Sequence, residues 1–490
     1  MNVIEEVMSS LPESAMVSDI CFEGSEIVVY TQSREFFLSN GDFIKDIVKR
    51  LKKRIEIRPD PSITVDMEVA RERIKEIVPE EAGITDITFE PGFSRVTIEA
   101  HKPGLVIGKG GQTLAEIKKK TFWAPVITRA PAIKSDVVKT VRRVIFEESE
   151  FRKEFLNKLG QRIHGEKKKE VEWIRLTALG GFREVGRSCL YLQTPESKVL
   201  LDCGIKAGAD DAFPYLSVPE FNLKGLDAVI ASHPHLDHVG FIPYLYEYGY
   251  EGPFYCTPPT RDLFVLLCLD YLDIAQREGN TVPYSSKSIE KAVKHSVVLE
   301  YNEVNDITPD MRLTFQNAGH ILGSAIVHIH VGEGDHNIIY TGDYNYDRTK
   351  LFDPAFTNFQ RAETVITEST YGSAGDIQPK RSEAEKRLVQ IVKETLEGGG
   401  KVLIPSFAVG RAQDVMCILA AQKDFNYPVY LEGMLWDATA IHTTYPEYMS
   451  RELQNEIFHK GNNPFTAEIF KRVGSHIESC LLYTSPSPRD

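Results

Sequence analysis

The spacing of apolar and polar positions divides this chain into segments with different periods. In residues 1–61 it predicts a helix from Val3 to Leu11, then strands from Met16 to Phe22 and from Glu26 to Gln32 around a turn at Gly24. A second helix runs from Asp42 to Arg54 with Phe43, Ile44, Ile47, Val48 and Leu51 on one face, and a strand at Glu56–Arg58 is stopped by Pro59 and Pro61. Residues 62–145 repeat the order: helix Asp66 to Ile77, strands Ile84 to Phe89 and Arg95 to Ala100, helix Gln112 to Lys120, strand Ala124 to Arg129. Two copies of one supersecondary order predict a tandem pair of small α/β units. Residues 146–171 alternate acids (Glu147, Glu148, Glu150) with bases (Arg152, Lys153, Lys167, Lys168, Lys169) and read as a solvated helical linker.

From Trp173 the periods become those of a larger α/β domain, residues 172–380. Strands are expected at Ile174–Ala178, Ser188–Gln193, Lys198–Leu201, Leu226–Ile230, Met311–Gln316, Ala325–Val331, Asn337–Tyr340 and Thr364–Thr367, with a helix from Arg261 to Ala275. Residues 381–478 then alternate a helix (Ser382–Leu396), a strand (Lys401–Ile404), a helix from Gly410 to about Gln422 and a strand at Val429–Tyr430, which predicts a further unit with a parallel sheet. Residues 479–490, with two prolines in a serine-rich run, break this character and are expected to be foreign to the fold.

Charge changes this picture in one respect. The net charge is −13, which argues mildly against a nucleic-acid binder taken whole, but residues 1–171 carry 29 Lys+Arg against 28 Asp+Glu, leaving 28 against 42 for the rest. The first third is nearly neutral and holds local basic clusters. Seven cysteines without a CxxC pattern, a start lacking the basic-then-apolar order of a secretion signal, and no apolar run of about 18 residues predict a cytoplasmic protein without a membrane span.

Two stretches carry chemistry. Between the second strand and the helix of the second repeat lies Gly104-Leu105-Val106-Ile107-Gly108-Lys109-Gly110-Gly111. Glycines there let a backbone approach phosphates closely, Lys109 adds a mobile cation, and the following helix start adds N–H groups. Lys118, Lys119, Lys120 and Trp123 follow as added charge and a stacking surface. The other stretch is Ala231-Ser232-His233-Pro234-His235-Leu236-Asp237-His238-Val239-Gly240. Three of thirteen histidines and an aspartate fall within six positions directly after a buried strand. Imidazole and carboxylate are the usual ligands of zinc, and their density here exceeds what one ion needs. Asp202, His320, Asp343 and Glu368 each follow a predicted strand in the same domain, so distant loops could converge on one rim.

The Gly108–Gly111 stretch resembles the GXXG loop of KH domains, which clamps the backbone of single-stranded nucleic acid. The first repeat has Leu38-Ser39-Asn40-Gly41-Asp42 at that place, a departure that puts an acid where phosphate would sit. Asp202, the 233–238 cluster, His320 and Asp343 follow the order of the metallo-β-lactamase fold. Glu368 in Ile366-Thr367-Glu368-Ser369-Thr370-Tyr371-Gly372 resembles the first motif of its β-CASP nuclease subgroup. With the KH-like repeats, residues 1–475 resemble the archaeal homologues of the cleavage and polyadenylation specificity factor nuclease. The resemblance implies tandem KH-like domains (1–61 and 62–145), a linker (146–171), an αββα metallo-β-lactamase domain (172–380) and an incomplete β-CASP insertion (381–478). It implies two zinc ions: His233, His235 and His320 on the first, Asp237 and His238 on the second, Asp343 bridging, and Asp202 orienting a ligand histidine. Asp237, Glu368 and Asp202 would belong to the catalytic apparatus, and Gly108, Lys109, Gly110 and Gly111 to RNA binding. It implies an endonuclease, with 5′-to-3′ exonuclease action, in transcription termination, with RNA as substrate, a homodimeric state, and RNA polymerase as a partner. In the subgroup two later histidines complete the site, one paired with the acid that Glu368 resembles, to protonate the leaving oxygen, and one on the second zinc; His442, His459 and His476 do not follow strand ends as those motifs do. Two other readings stay open: an RNA-binding but catalytically inert chain, and a small-ester hydrolase of the same fold. DNA also stays open as a substrate.

Overall fold

The computed structural model describes residues 3–39, 42–166, 170–209 and 211–474. The lysine triplet 167–169, Asn40 and Gly41 of the first repeat's loop, and the tail 479–490 lie outside the described residues.

Each repeat folds as a three-stranded sheet under helices. In the first, Val17–Glu23 pairs antiparallel with Glu26–Thr31, which pairs parallel with Ile55–Pro59. In the second, Ile84–Glu90, Arg95–Ala100 and Ala124–Arg129 pair in the same order and senses. A short helix not legible in the sequence, Arg34–Leu38, is capped by Ser33 and buries Phe37. Trp123, expected as an exposed stacking surface, is instead core: it is 4% exposed, packs edge-on against Phe89, and its indole N–H donates to the Val65 carbonyl at 2.8 Å. The two repeats share a buried ionic joint. Arg58, from the last strand of the first repeat, is fully enclosed and pairs with Glu23 and Glu56, while Arg95 of the second repeat reaches Glu23 at 3.1 Å.

The expected solvated linker is a packed strut. Helix Asp136–Glu147 leads into helix Ser149–Ile163, which buries Phe155, Leu159 and Ile163. Gly24 N–H donates to Leu156 O at 3.0 Å on one side, and the Arg152 guanidinium donates to the carbonyl of Lys294 at 2.7 Å on the other. Alternating charges hid an apolar stripe with helical spacing.

The large domain is a sandwich of two sheets. The first runs Ser296–Val298, Phe254–Cys256, Ala228–Ile230, Lys198–Leu201, Cys189–Gln193, Arg175–Gly180. The second runs Val304–Thr308, Met311–Asn317, Ala325–Val331, His336–Tyr340, Thr364–Ile366. Strand alternation explains the layers. Leu190, Leu192, Val199, Leu201, Ala228 and Ile230 face Leu313, Phe315, Val327, Ile329 and Ile338 of the other sheet. Tyr191, Leu200, Val229 and Phe254 point the opposite way, under the helices Ile242–Glu247, Pro258–Glu278 and Ser286–Lys294. On the outer face of the second sheet, Ala355 and Phe359 cover Ile326 and Ile339. Val304–Thr308 is a strand that its mixed polarity concealed.

Residues 381–474 pack on helix Pro258–Glu278: Met416, Ile441, Leu453 and Phe465 share a core with Leu263, Leu266 and Leu267. Here one expectation is corrected. Lys401–Ile404 forms no strand, and Leu403 and Phe407 are 67% and 80% exposed. A strand needs a ladder partner, and the parallel pair Val429–Leu431 with Phe470–Arg472 does not extend to it among the described residues. No described helix is long and apolar enough to cross a membrane.

Candidate metal centre

Four strand ends meet at one rim of the sandwich. Leu201, Ile230 and Tyr340 end strands that lead into Asp202, His233 and Asp343, while His320 sits in the turn between Met311–Asn317 and Ala325–Val331. The loop around His235 is fixed by its backbone: Cys203 N–H donates to His238 O at 2.8 Å, Ile205 N–H to Leu236 O at 2.9 Å, and Ser188 N–H to Asp237 O at 2.8 Å. His235 precedes the one-turn helix Leu236–Val239, which turns Asp237 and His238 inward.

The side chains fall into two groups that share one carboxylate. Ligand-capable atoms of His233, His235, His320 and Asp343 lie within 4.8 Å of one another, as do those of Asp237, His238 and Asp343. Asp343 Oδ2 is 3.7 Å from Nε2 of both His233 and His320, and its Oδ1 is 3.3 Å from His238 Nε2. His233 is fully buried and its Nε2 has no hydrogen-bond partner. An orphaned buried nitrogen facing three other ligand atoms is what a cation would satisfy, so the residues present fit a metal pair.

Electrostatics agrees for the three histidines of the first group. Burial, with its neighbouring imidazoles, drives the His233 pKa far below the usual range, and burial first among several causes takes His235 and His320 down to about 4. These rings are neutral, as ligation demands. His238 goes the other way: burial depresses it, but Asp202 above all, with Asp343 and Asp237, outweighs burial and raises it well above the ordinary value. Asp343 is itself held at about 2, its burial overcome chiefly by His238.

Asp202 stands outside both groups. Its enclosed carboxylate accepts from Ser232 N–H at 2.7 Å, Ser232 Oγ at 2.8 Å, His238 Nδ1 at 2.7 Å and Tyr340 OH at 2.6 Å. Ser232 and Tyr340 are therefore part of the site, although the sequence reading passed over them. Ser232 lies inside the histidine motif, and Tyr340 is the last residue of its strand. Glu368 lies beside Asp343 in space, but its carboxylate accepts from the backbone N–H of Tyr344 at 3.1 Å rather than from a histidine. His442, whose sequence context suits a polar surface or a packing histidine, is a packing one: it is fully buried, with Nδ1 on the Ala438 carbonyl at 2.8 Å.

The glycine-rich loop of the second repeat forms a turn between helices Pro103–Ile107 and Gln112–Thr121. Gly108, Gly110 and Gly111 all have positive φ, of 75°, 62° and 78°. A side chain on Gly108 would strike Thr113, whereas Gly110 and Gly111 face open space. The first glycine makes the turn, and the next two leave the backbone open to a ligand.

Known families match this chain in three stretches. A family model for the KH domain of transcription termination factor FttA matches residues 1–64, a general KH-domain model matches 69–122, and a metallo-beta-lactamase superfamily model matches 191–370. Transcription termination factor FttA of Methanothermobacter thermautotrophicus is 54% identical over 474 residues, which are 95% of this chain and 74% of that protein. The protein of that name from Methanocaldococcus jannaschii is 52% identical over 492 residues, 99% of this chain and 77% of its own.

Proposed function

This chain belongs to the FttA family of transcription termination factors, and we propose that it is a zinc-dependent ribonuclease acting in termination. The observation that carries the reading is the shared Asp343, which joins two ligand groups at one rim of a sandwich that also bears KH domains. His233, His235, His320 and Asp343 would hold one ion, and Asp237, His238 and Asp343 the other. Bound there, the pair would supply an activated water and neutralise charge on the phosphoryl oxygens.

The chain's own groups do the rest. Asp202 and Ser232 fix the ring of His238, so Nε2 faces the centre and Nδ1 faces a carboxylate. Asp237, the more open carboxylate at 35% side-chain exposure, turns Oδ2 to within 3.8 Å of His238 Nε2 and would complete the second ligand group. Gly110, Gly111 and Lys109 would hold the RNA backbone upstream of the cut. Residues 381–474 would act as the β-CASP wall of the RNA channel. A homodimer and a contact with RNA polymerase belong to the same proposal.

One observation favours a second reading, an RNA-holding chain that does not cut. Glu368 finds only the backbone N–H groups of Tyr344 and Thr370, so no carboxylate–histidine pair for the leaving oxygen is assembled among the described residues. Cleavage of end-labelled RNA and DNA by zinc-loaded chain separates the two. Cutting of RNA that is lost in Asp237→Ala and His238→Ala supports the ribonuclease. Tight RNA binding with no cutting supports the second reading, and cutting that survives both substitutions removes the metal mechanism.

A further inference from the structure

The segment 405–413 forms a turn that is anchored by buried Val409 and Gln413 and leaves Phe407 and Arg411 exposed. Gln413 is fully buried, and its side-chain oxygen accepts from Gly410 N–H at 2.7 Å. Its amide donates to Ala408 O at 2.9 Å and Thr439 Oγ1 at 3.0 Å. Gly410 has φ of 86°, and a Cβ there would strike Cγ2 of Ile321. The turn is thus pressed against the residue next to His320, whose own backbone is pinned by Ser324 Oγ at 3.1 Å. The next residue is Arg411, which opens helix Arg411–Ala420 and is exposed.

Arg411 is electrostatically unspent. Asp414, an acid in the first turn of the same helix, is paired with Arg381. Among the described residues no carboxylate forms an ion pair with Arg411, and the residue before it, Gly410, lies against Ile321, the neighbour of His320. An exposed guanidinium without a carboxylate partner, one residue from the glycine that meets Ile321, offers a fork for a phosphate arriving at the cluster. Four residues earlier, Phe407 is 80% exposed. An open aromatic and an unpaired arginine on one turn are the two elements of single-strand recognition: a stacking face for a base and a fork for a phosphate.

The geometry points to a nucleotide subsite on the turn 407–411 at the rim of the metal centre, in which Arg411 binds an RNA phosphate next to the scissile one and Phe407 stacks the adjoining base. This inference rests on the ribonuclease reading for its substrate, and its test is a binding measurement, so the two stand or fall separately.

The experiment uses the full chain, zinc-loaded and carrying Gly110→Asp so that the KH loop does not dominate affinity. Binding of a fluorescent eight-nucleotide oligouridylate is followed at 4 °C as salt is raised. Arg411→Ala should weaken binding about tenfold and reduce the magnitude of the log–log salt slope by about 0.7, the loss of one single-strand phosphate contact. Arg411→Lys should restore the slope but not all of the affinity. Phe407→Ala should weaken binding several-fold with the slope unchanged. Zinc content and melting temperature should match the parent in all three. Parent affinity and slope in Arg411→Ala overturn the subsite, whether or not the parent cleaves RNA. A parent that binds with these differences but does not cut RNA overturns the ribonuclease reading and leaves the subsite standing.

Discussion

The carboxylate of Asp202 lies 2.7 Å from Nδ1 of His238, and Asp202 holds this position at a left-handed φ of 58°. The pair is a lever: the acid touches no ligand position, yet it decides which nitrogen of His238 faces the centre.

Asp202→Asn keeps the shape and tolerates that backbone, but removes the charge that orients and polarises the ring. It should lower affinity for one of two metal ions by about 10–100-fold and leave the other nearly unchanged. Competition with a chromophoric chelator reads both constants. Equal loss at both sites would contradict the role given to Asp202.

Asp343 is the one residue common to both ligand groups. Asp343→Ala should therefore reduce bound zinc at both sites, whereas His320→Ala should reduce it at one. Metal content per folded chain after dialysis at fixed free zinc distinguishes them. One ion retained by Asp343→Ala at full affinity would show that the carboxylate does not bridge.

Gly108 and Gly110 share a loop but should fail differently. Gly108→Ala drives a Cβ into Thr113 at positive φ and should lower the melting temperature. Gly110→Asp points into open space, so it should cost roughly 1 kcal/mol of backbone strain or less while weakening RNA binding by about tenfold or more. A melting curve and an RNA titration on both variants make the comparison.

His442 predicts an acid sensitivity. Burial holds its pKa at about 4, only partly opposed by its hydrogen bond to Ala438, and Nε2 has no partner. The unfolded chain takes up this proton near pH 6.5, before the folded chain does. The unfolded state thus binds more protons between pH 6.5 and 4, and stability falls as pH drops through that window. In His442→Gln the drop in melting temperature between pH 7 and 5 should be smaller than in the parent. An identical drop in both would mean the histidine is not buried neutral.

Much of this molecule was legible in the chain. Strand alternation in 188–201 and 325–331, the repeated order of 1–61 and 62–145, and the dense ligand loop at 233–238 are local patterns, and period and spacing are properties of sequence alone. Tertiary structure decided everything that depends on what lies opposite. Trp123 and the 149–163 helix looked exposed because neither Val65 nor the carbonyl of Lys294 is near them in the chain. Lys401–Ile404 looked like a strand because propensity says nothing of whether a ladder partner is present. Ser232 and Tyr340 entered the site only when loops roughly 30 and 140 residues from Asp202 closed on one carboxylate, and Arg411 only when Gly410 met Ile321. Ligand type is written in side-chain chemistry, but a site is a set of distances, and distances across a sandwich exist only once both sheets have packed.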